Sequence, residues 1–301
     1  MAFELSKVLP IEAAFTTILP APPEPIYGPC DLTTADAGLF GPGSVTWLIH
    51  SDPVAAIAGV RALLMQTLHP VAMRGVAAHS AYREDPWGRL GRTAEFVSVV
   101  SFGTTAEAQR AGDVVQSVHK RLGVDAPDLL RWVHAGFVDS LLTIYQRGVG
   151  LSDTSADTYV AEQARAATMV GLPADSVPRT VRELRNYIDV MRPILRADDV
   201  ARDAARFVLA PPMSTTVRWL TPAQPLWAGL AATAFASLPG WARAEFGDGA
   251  VGVALRGLPG LTDAQATLAI KTWRTALDQL PPSIRKGPWV KAAEARLGIE
   301  I

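Results

Sequence analysis

The side chains best suited to chemistry in this sequence are its histidines, because imidazole is the commonest metal ligand in proteins. There are five, namely His50, His69, His79, His119 and His134. Cys30 is the only cysteine, so a zinc or iron–sulfur site built on several thiolates is excluded. No H-E-x-x-H zinc motif occurs either. Metal chemistry would therefore depend on a single histidine. The residues around each of the five histidines indicate which one is the best candidate.

The helix face that carries His119 is built from small residues. At helical spacing before it stand Val115, Gly112, Ala111 and Ala108, while the charged neighbours fall on other faces. A face with so little side-chain bulk has room for a flat partner, and neutral imidazole is a good axial ligand for haem iron. His119 is therefore our candidate metal ligand, with Val115 beside the cofactor.

His134 is the rival candidate for the cofactor ligand. Its apolar stripe consists of the bulkier residues Leu130, Phe137, Val138 and Leu141, which are more typical of ordinary core packing. For both histidines, a hydrogen-bonded position in the core is the alternative to a ligand role. We keep His134 as the second choice for binding the cofactor.

The predicted helix from about residue 86 to residue 103 begins basic and polar and then becomes apolar. Arg89 and Thr93 are four residues apart and share one face, and Arg92 stands beside Thr93. One interpretation is a pocket wall on which a guanidinium and a hydroxyl face a ligand; the other is a helix with a solvated first turn. We take Arg89, Thr93 and Arg92 as candidate catalytic residues, and Phe96 as a candidate cofactor contact.

Another polar pair stands just before Pro70. Gln66 and His69 lie on adjacent faces of an otherwise apolar helix. A buried glutamine needs hydrogen-bond partners, which are either a ligand or the backbone carbonyls freed where Pro70 interrupts the helix. Gln66 and His69 are therefore further candidates for contact with a cofactor.

Helices must position these candidates, because alternating strand patterns are almost absent. Ser51 or Asp52 can cap one helix, and Thr104 with Glu107 forms a capping box for another that ends at Gly123. Further helical periods follow at about 155–170, 178–196, 198–209, 222–238, 262–280 and 288–296. The sequence predicts one all-α domain over residues 41–301, preceded by a Pro- and Gly-rich arm over residues 1–40.

Composition excludes several classes of function. The 28 basic and 29 acidic residues balance, so nothing indicates a nucleic-acid partner. Cys30 is in the wrong place for the thiolate ligand of a cytochrome P450, which lies in a C-terminal loop. The longest apolar run, residues 226–238, is too short to span a membrane, so we expect no stable membrane insertion. With one cysteine and no signal peptide, we expect a cytoplasmic protein.

Four segments carry a resemblance to a known family. They are residues 41–53 (GPGSVTWLIHSDP), 61–111, 118–123 (VHKRLG) and 129–142 (LLRWVHAGFVDSLL). Over roughly residues 38–240 the chain resembles the bacterial MpaB oxygenase family. This family shares a domain with the fungal ER-bound MpaB oxygenase and with the rubber oxygenase, latex-clearing protein. The resemblance implies a globin-like helical core around one b-type haem, and oxidative chemistry with O₂.

The resemblance also implies roles for particular residues. Latex-clearing proteins have an Arg-x-x-Lys-Thr motif in the haem pocket, and Arg89 and Thr93 match its ends. Arg92 replaces the lysine; arginine stays protonated and cannot ligate iron, which leaves the distal side to water, O₂ or another residue. The axial histidine of the family matches His119 and, less easily, His134. We expect His119 to bind iron through Nε2 and to donate Nδ1–H to a carbonyl or carboxylate.

Together these features favour a b-type haem-dependent oxygenase that uses O₂ or peroxide on a hydrophobic or small natural-product substrate. An imidazole ligand pushes less electron density to iron than a thiolate, which favours dioxygenase or peroxidase-like chemistry. The alternatives are a non-catalytic haem protein, such as a sensor or carrier, and a haem-free helical protein that keeps only the fold.

Overall fold

Helices are the only regular secondary structure in the computed structural model over its described residues, which are 26–79, 85–247 and 262–301. This confirms the all-α class that the helical periods predict. The helices are α1 (Val45–Ser51), α2 (Ala55–Thr67), α3 (Pro70–His79), α4 (Pro86–Phe102), α5 (Thr105–Leu122), α6 (Pro127–Gly148), α7 (Asp153–Met169), α8 (Val181–Met191), α9 (Asp199–Leu209), α10 (Thr215–Leu220), α11 (Ala223–Ala236), α12 (Gly240–Glu245), α13 (Asp263–Asp278), α14 (Pro282–Arg285) and α15 (Pro288–Leu297).

Local capping fixes the boundaries of the two helices that matter most for the site. The Thr104 hydroxyl accepts a hydrogen bond from the Glu107 N–H (3.2 Å), and the Glu107 carboxylate accepts one from the Thr104 N–H (2.7 Å). This confirms the predicted capping box. α5 ends at Leu122 and is capped by Gly123, whose φ of +65° is the left-handed conformation that favours glycine. The Asp85 carboxylate caps α4 by accepting a hydrogen bond from the Gly88 N–H (2.8 Å).

The beginning of the helical region differs from the prediction. The sequence predicts a helix capped by Ser51 or Asp52, whereas in the structure α1 ends at Ser51 and α2 begins at Ala55, with a bend of 95° between them. The Asp52 carboxylate accepts from the Val54 N–H (3.0 Å) and pairs with Arg274 of α13 (2.9 Å). The seven residues of α1 make about two turns. That length is too short for an apolar period to identify the helix.

The main core is built on α2 and α6, the most closely packed pair of helices. They run antiparallel, because Arg61 pairs with Asp139 (2.8 Å) while Gln66, further along α2, donates to the earlier carbonyl of Val133 in α6 (3.0 Å). Trp132 of α6 is fully buried in this core. α9 and α11 pack on α2, and α13 packs on α6. The two central helices are therefore held from several sides, which suits a rigid support for a site.

A second apolar cluster joins the described part of the arm to α4 and α15. Phe102 of α4 and Trp289 of α15 are buried in it, and Phe40 of the arm packs against them. The buried Arg296 donates hydrogen bonds to the backbone carbonyls of Asp36 (2.8 Å) and Phe102 (2.9 Å). Residues 26–44 therefore lie against the helices through both apolar and polar contacts.

A membrane-spanning helix would have to lie in one of the apolar segments of the chain. Among the described residues, no single helix has the length and apolar character needed to cross a membrane. Only α1 and α2 taken together, across their bend, reach that length and composition. The apolar run at residues 226–238 lies mostly in α11, where Trp227, Leu230 and Ala234 are buried inside the protein.

Burial of His134 leads to a prediction about pH. The side chain is buried in α6, and burial lowers its pKa from 6.5 to about 4. When the pH lies between these two pKa values, the unfolded chain binds a proton at His134 that the folded protein does not bind. The free energy of unfolding therefore decreases as the pH falls. The loss between pH 7 and pH 4 is about 3 kcal/mol for this group. Urea unfolding at several pH values should show a shallower decrease in His134→Gln than in the wild type; equal slopes would contradict the assignment.

Candidate functional site

A cavity of about 230 Å³ lies where α2, α3, α4, α5, α6, α9 and α11 meet. Most of its lining is apolar, including Met73, Val76, Trp87, Leu90, Phe207 and Trp227. A mostly apolar cavity with a few polar groups is the usual form of a small-molecule site. Its position at the junction of many helices means that distant parts of the sequence contribute to it.

Four polar residues singled out from the sequence line this one cavity. They are Gln66 of α2, Arg89 and Thr93 of α4, and His119 of α5. Arg89 and Thr93 of α4 thus belong to the same cavity lining as the candidate ligand His119, and the pocket-wall interpretation of α4 stays a prediction. The cavity brings together the groups that the resemblance assigned to the two sides of a haem.

His119 lies in the last turn of α5, and its Nδ1 is buried without a hydrogen-bond partner among the described residues. The expected bond from Nδ1–H to a carbonyl or carboxylate is therefore not found. Asp125 is close enough to act on the imidazole electrostatically, but it makes no hydrogen bond to it. Burial lowers the pKa of His119, against the opposing effect of Asp125, so the ring is neutral at pH 7. A neutral imidazole beside an apolar cavity is able to ligate a metal ion.

Arg89 and Thr93 come from successive turns at the start of α4. The Thr93 hydroxyl donates a hydrogen bond to the backbone carbonyl of Arg89 (3.1 Å), and its side chain is exposed at the edge of the cavity. Arg89 is half-buried and brings a permanent positive charge to the lining. The α4 face shared by these two residues thus contributes a charged and a hydroxyl-bearing residue to the cavity lining.

Gln66 presents an amide to the cavity from α2. Its Nε2 donates to the backbone carbonyl of Val133 in α6 (3.0 Å), and not to a carbonyl freed by Pro70. Its Oε1 accepts no hydrogen bond from the described residues, so an acceptor remains for a ligand. The backbone bond identifies Gln66 as part of the α2–α6 contact as well as of the cavity lining.

Three of the other sequence candidates on α4 and α5 do not line the cavity. The Arg92 side chain is 46% exposed and pairs with Asp85 (3.2 Å), because its position on α4 turns it away from the face of Arg89. Phe96 packs on Tyr27 of the arm, with ring centroids 6.1 Å apart. Val115 is half-buried elsewhere on α5.

The remaining histidines with described side chains also lie outside the cavity lining. The His69 Nδ1 accepts a hydrogen bond from the Ala72 N–H (3.3 Å), so the ring caps the start of α3. His134 is buried in α6. Both ring nitrogens of His50 have partners, the hydroxyls of Ser101 (2.7 Å) and Tyr159 (3.0 Å). Of the four histidines with described side chains, His119 alone is in the cavity lining.

Sequence reasoning missed the two tryptophans of the cavity. Trp87 and Trp227 pack edge to face, with ring centroids 4.9 Å apart. Their indole N–H groups donate to the backbone carbonyls of Pro212 (2.8 Å) and Val208 (3.1 Å), which fixes both rings. Trp87 stands two residues before Arg89 in α4, and that proximity was the only signal in the sequence.

Metal binding by several protein side chains finds no support among the described residues, where no group of three or more His, Cys, Asp or Glu could hold an ion.

A family model described as ER-bound oxygenase mpaB/B'/Rubber oxygenase, catalytic domain, matches residues 47–262, which is more than two thirds of the chain. No curated protein and no solved structure matches this chain. The matched segment contains the four polar cavity residues that were singled out from the sequence. The chain therefore belongs to the family of the ER-bound oxygenase MpaB and the rubber oxygenase, and it carries the oxygenase catalytic domain of that family.

Proposed function

We propose that this protein is a haem-dependent oxygenase that uses O₂ on an apolar substrate, with His119 as the protein ligand of the iron. The observation that carries the proposal is the His119 imidazole, whose buried Nδ1 has no hydrogen-bond partner among the described residues, in the lining of an apolar cavity that Arg89 and Thr93 also line. A haem iron needs only one such ligand, because the porphyrin supplies four nitrogens. This agrees with the absence of a multi-residue metal cluster among the described residues, but does not depend on it.

The residues present fit a haem in kind. The neutral imidazole suits iron, the apolar walls suit the macrocycle, and the Arg89 guanidinium suits a propionate or a polar distal ligand. In size, the cavity of about 230 Å³ is below the range of roughly 300–1,000 Å³ for pockets that enclose small-molecule ligands. Binding of a haem therefore requires side chains of the cavity to move apart.

The haem would supply the O₂ chemistry, and the chain would supply orientation and electrostatics. His119 is held neutral by burial and so is ready to ligate without losing a proton first. Arg89 provides charge-assisted hydrogen bonds that orient a bound group, and the Gln66 Oε1 is an additional acceptor. Arg92 cannot serve as an iron ligand, since arginine stays protonated and this one is paired with Asp85 outside the cavity.

The experiment that tests this function compares oxygen uptake by the haem-loaded wild type with that of Arg89→Ala, using a panel of apolar substrates. Hydrogen bonds to charged groups contribute about 1.5–3 kcal/mol, so we expect turnover to fall by roughly 10- to 150-fold while the haem stays bound. Arg92→Ala is the matched control, because it removes an arginine from the same helix outside the cavity. We expect its turnover to be close to that of the wild type.

Two outcomes would oppose the proposed role of Arg89. One is an equal loss of turnover in Arg89→Ala and Arg92→Ala, which would indicate a general effect of charge on α4. The other is full activity in Arg89→Ala. Absence of oxygen uptake in haem-loaded wild type with every substrate would favour the non-catalytic haem protein instead.

A further inference from the structure

A second concave site, separate from the proposed haem pocket, contains a concentration of arginines. It is a groove of about 680 Å³ between α2, α6 and the first turn of α13, next to the C-terminus of α11, and it shares no lining residue with the haem pocket. Arg61 and Arg147 line it together with the side chain of Thr143. We call it the arginine groove. Nothing in the proposed oxygenase function uses these residues.

The positive charges of the arginine groove are incompletely matched. Arg61 pairs with Asp139 (2.8 Å), but its Nη2 makes no hydrogen bond to the described residues. Arg147 has no carboxylate within ion-pair distance among those residues, and it donates only to a hydroxyl and to backbone carbonyls. Both guanidiniums donate to one shared acceptor, the carbonyl oxygen of Ser237, at the long distances of 3.3 and 3.4 Å. One weakly bonded carbonyl thus lies between two positive groups.

A third arginine adds to this excess. Arg243 lies 3.4 Å from the Asp263 carboxylate and donates to backbone carbonyls at the end of α11. The three arginines with Asp139 and Asp263 carry a net charge of +1, from three positive and two negative groups. Burial lowers the pKa of the Arg147 guanidinium, the charge of Asp263 opposes this, and the charges of Arg61 and Arg243 lower it further. Arg147 therefore lies close enough to both arginines to feel their charge, with Asp263 as a partial counter-charge.

Thr143 supplies a neutral donor at the same place. Its side chain lines the groove, and its hydroxyl makes no hydrogen bond to the described residues. A hydroxyl and guanidinium N–H groups around one space form the donor set that recognises phosphate and carboxylate oxygens.

We propose that the arginine groove binds a small oxyanion, a phosphate or carboxylate group, held by Arg147, Arg61 and the Thr143 hydroxyl. The anion would neutralise the excess charge and provide stronger acceptors than the shared Ser237 carbonyl. The competing explanation is that these arginines only cap the carbonyls at the C-terminus of α11, where positive charge is favourable. The inference does not depend on haem binding at His119.

Isothermal titration calorimetry of the full chain with inorganic phosphate tests the proposal, with sodium chloride at equal ionic strength as the reference and sodium acetate as a second probe. We expect saturable binding of phosphate, of acetate or of both, and none of chloride; the tighter of the two identifies the anion class. Loss of a charged donor should weaken the dissociation constant at least about tenfold in Arg147→Gln. Thr143→Val should weaken it by a smaller factor, and Arg218→Gln, exposed on α10, should leave it unchanged.

Thr143→Val is the decisive variant, because it leaves all three arginines and their bonds to α11 in place even if Arg147→Gln fails to fold. Unchanged affinity in Thr143→Val, or heats that are the same for phosphate, acetate and chloride, would overturn the proposal. The arginines would then be capping groups only. Neither result would bear on the haem-dependent function, which is measured by haem content and oxygen uptake.

Discussion

Replacing His119 by alanine is expected to yield protein that is folded but poor in haem. Among the histidines whose side chains the structure describes, His119 alone lines the apolar cavity; its ring is neutral, and its Nδ1 has no hydrogen-bond partner among the described residues. Mutation of residues that merely support a metal ligand costs about 10- to 100-fold in metal affinity, so loss of the ligand itself should cost at least about tenfold. The measurement is the ratio of haem to protein after purification with haem in excess, together with the position of the Soret band. Added imidazole should partly restore both.

His134→Ala is the matched control for this experiment. His134 is buried in α6 outside the cavity, so its removal should cost stability through packing and leave the haem content near that of the wild type. If His134→Ala lost the haem and His119→Ala kept it, the ligand assignment would pass to His134. If both variants kept the haem content of the wild type, neither histidine would be the ligand.

Trp132→Ala is expected to show the largest loss of stability. Trp132 is fully buried between the two central helices, where its indole N–H donates to the Gln66 carbonyl (3.4 Å) and its ring packs on His69. Truncation of a buried tryptophan costs about 3–5 kcal/mol, from lost burial and the cavity that remains. Because Gln66 also lines the pocket, we expect weaker haem retention as a secondary effect. Urea unfolding, monitored by circular dichroism, measures the loss.

The same experiment has a control on the surface of the protein. Trp219 in α10 is 74% exposed, so Trp219→Ala should change the free energy of unfolding by no more than about 0.5 kcal/mol. A similar loss in the two tryptophan variants would contradict the central place of the α2–α6 pair in the core. It would indicate that the exposed Trp219 side chain makes stabilising contacts comparable to those of the buried Trp132.

The parts of the site that could be predicted from the sequence are those encoded within one helix. Arg89 and Thr93 share a face because they are four residues apart, and the structure places both at the same cavity. The ends of α5 follow from the capping box at Thr104 and the glycine at position 123, so the position of His119 in its last turn was also predictable. These signals are local, and they need no knowledge of how helices pack.

The parts that could not be predicted depend on packing between distant segments. Trp227 and Phe207 reach the cavity from α11 and α9, which lie far along the chain from α4 and α5. Arg92 and Thr93 are neighbours, and the pattern alone did not show that Arg92 faces away toward Asp85. The stripe of His134 correctly indicated burial, but burial in a core and burial beside a cavity give the same apolar pattern.

The most direct test of the haem-dependent function is pyridine haemochrome analysis of the wild-type protein, purified after expression with ample haem and again after reconstitution with haemin. We expect about one b-type haem per chain, because His119 is the one histidine with a described side chain that lines the apolar cavity. A protein that carries no haem after either treatment would contradict the assignment of His119 as an iron ligand. It would leave a helical member of the oxygenase family with a different cofactor or none.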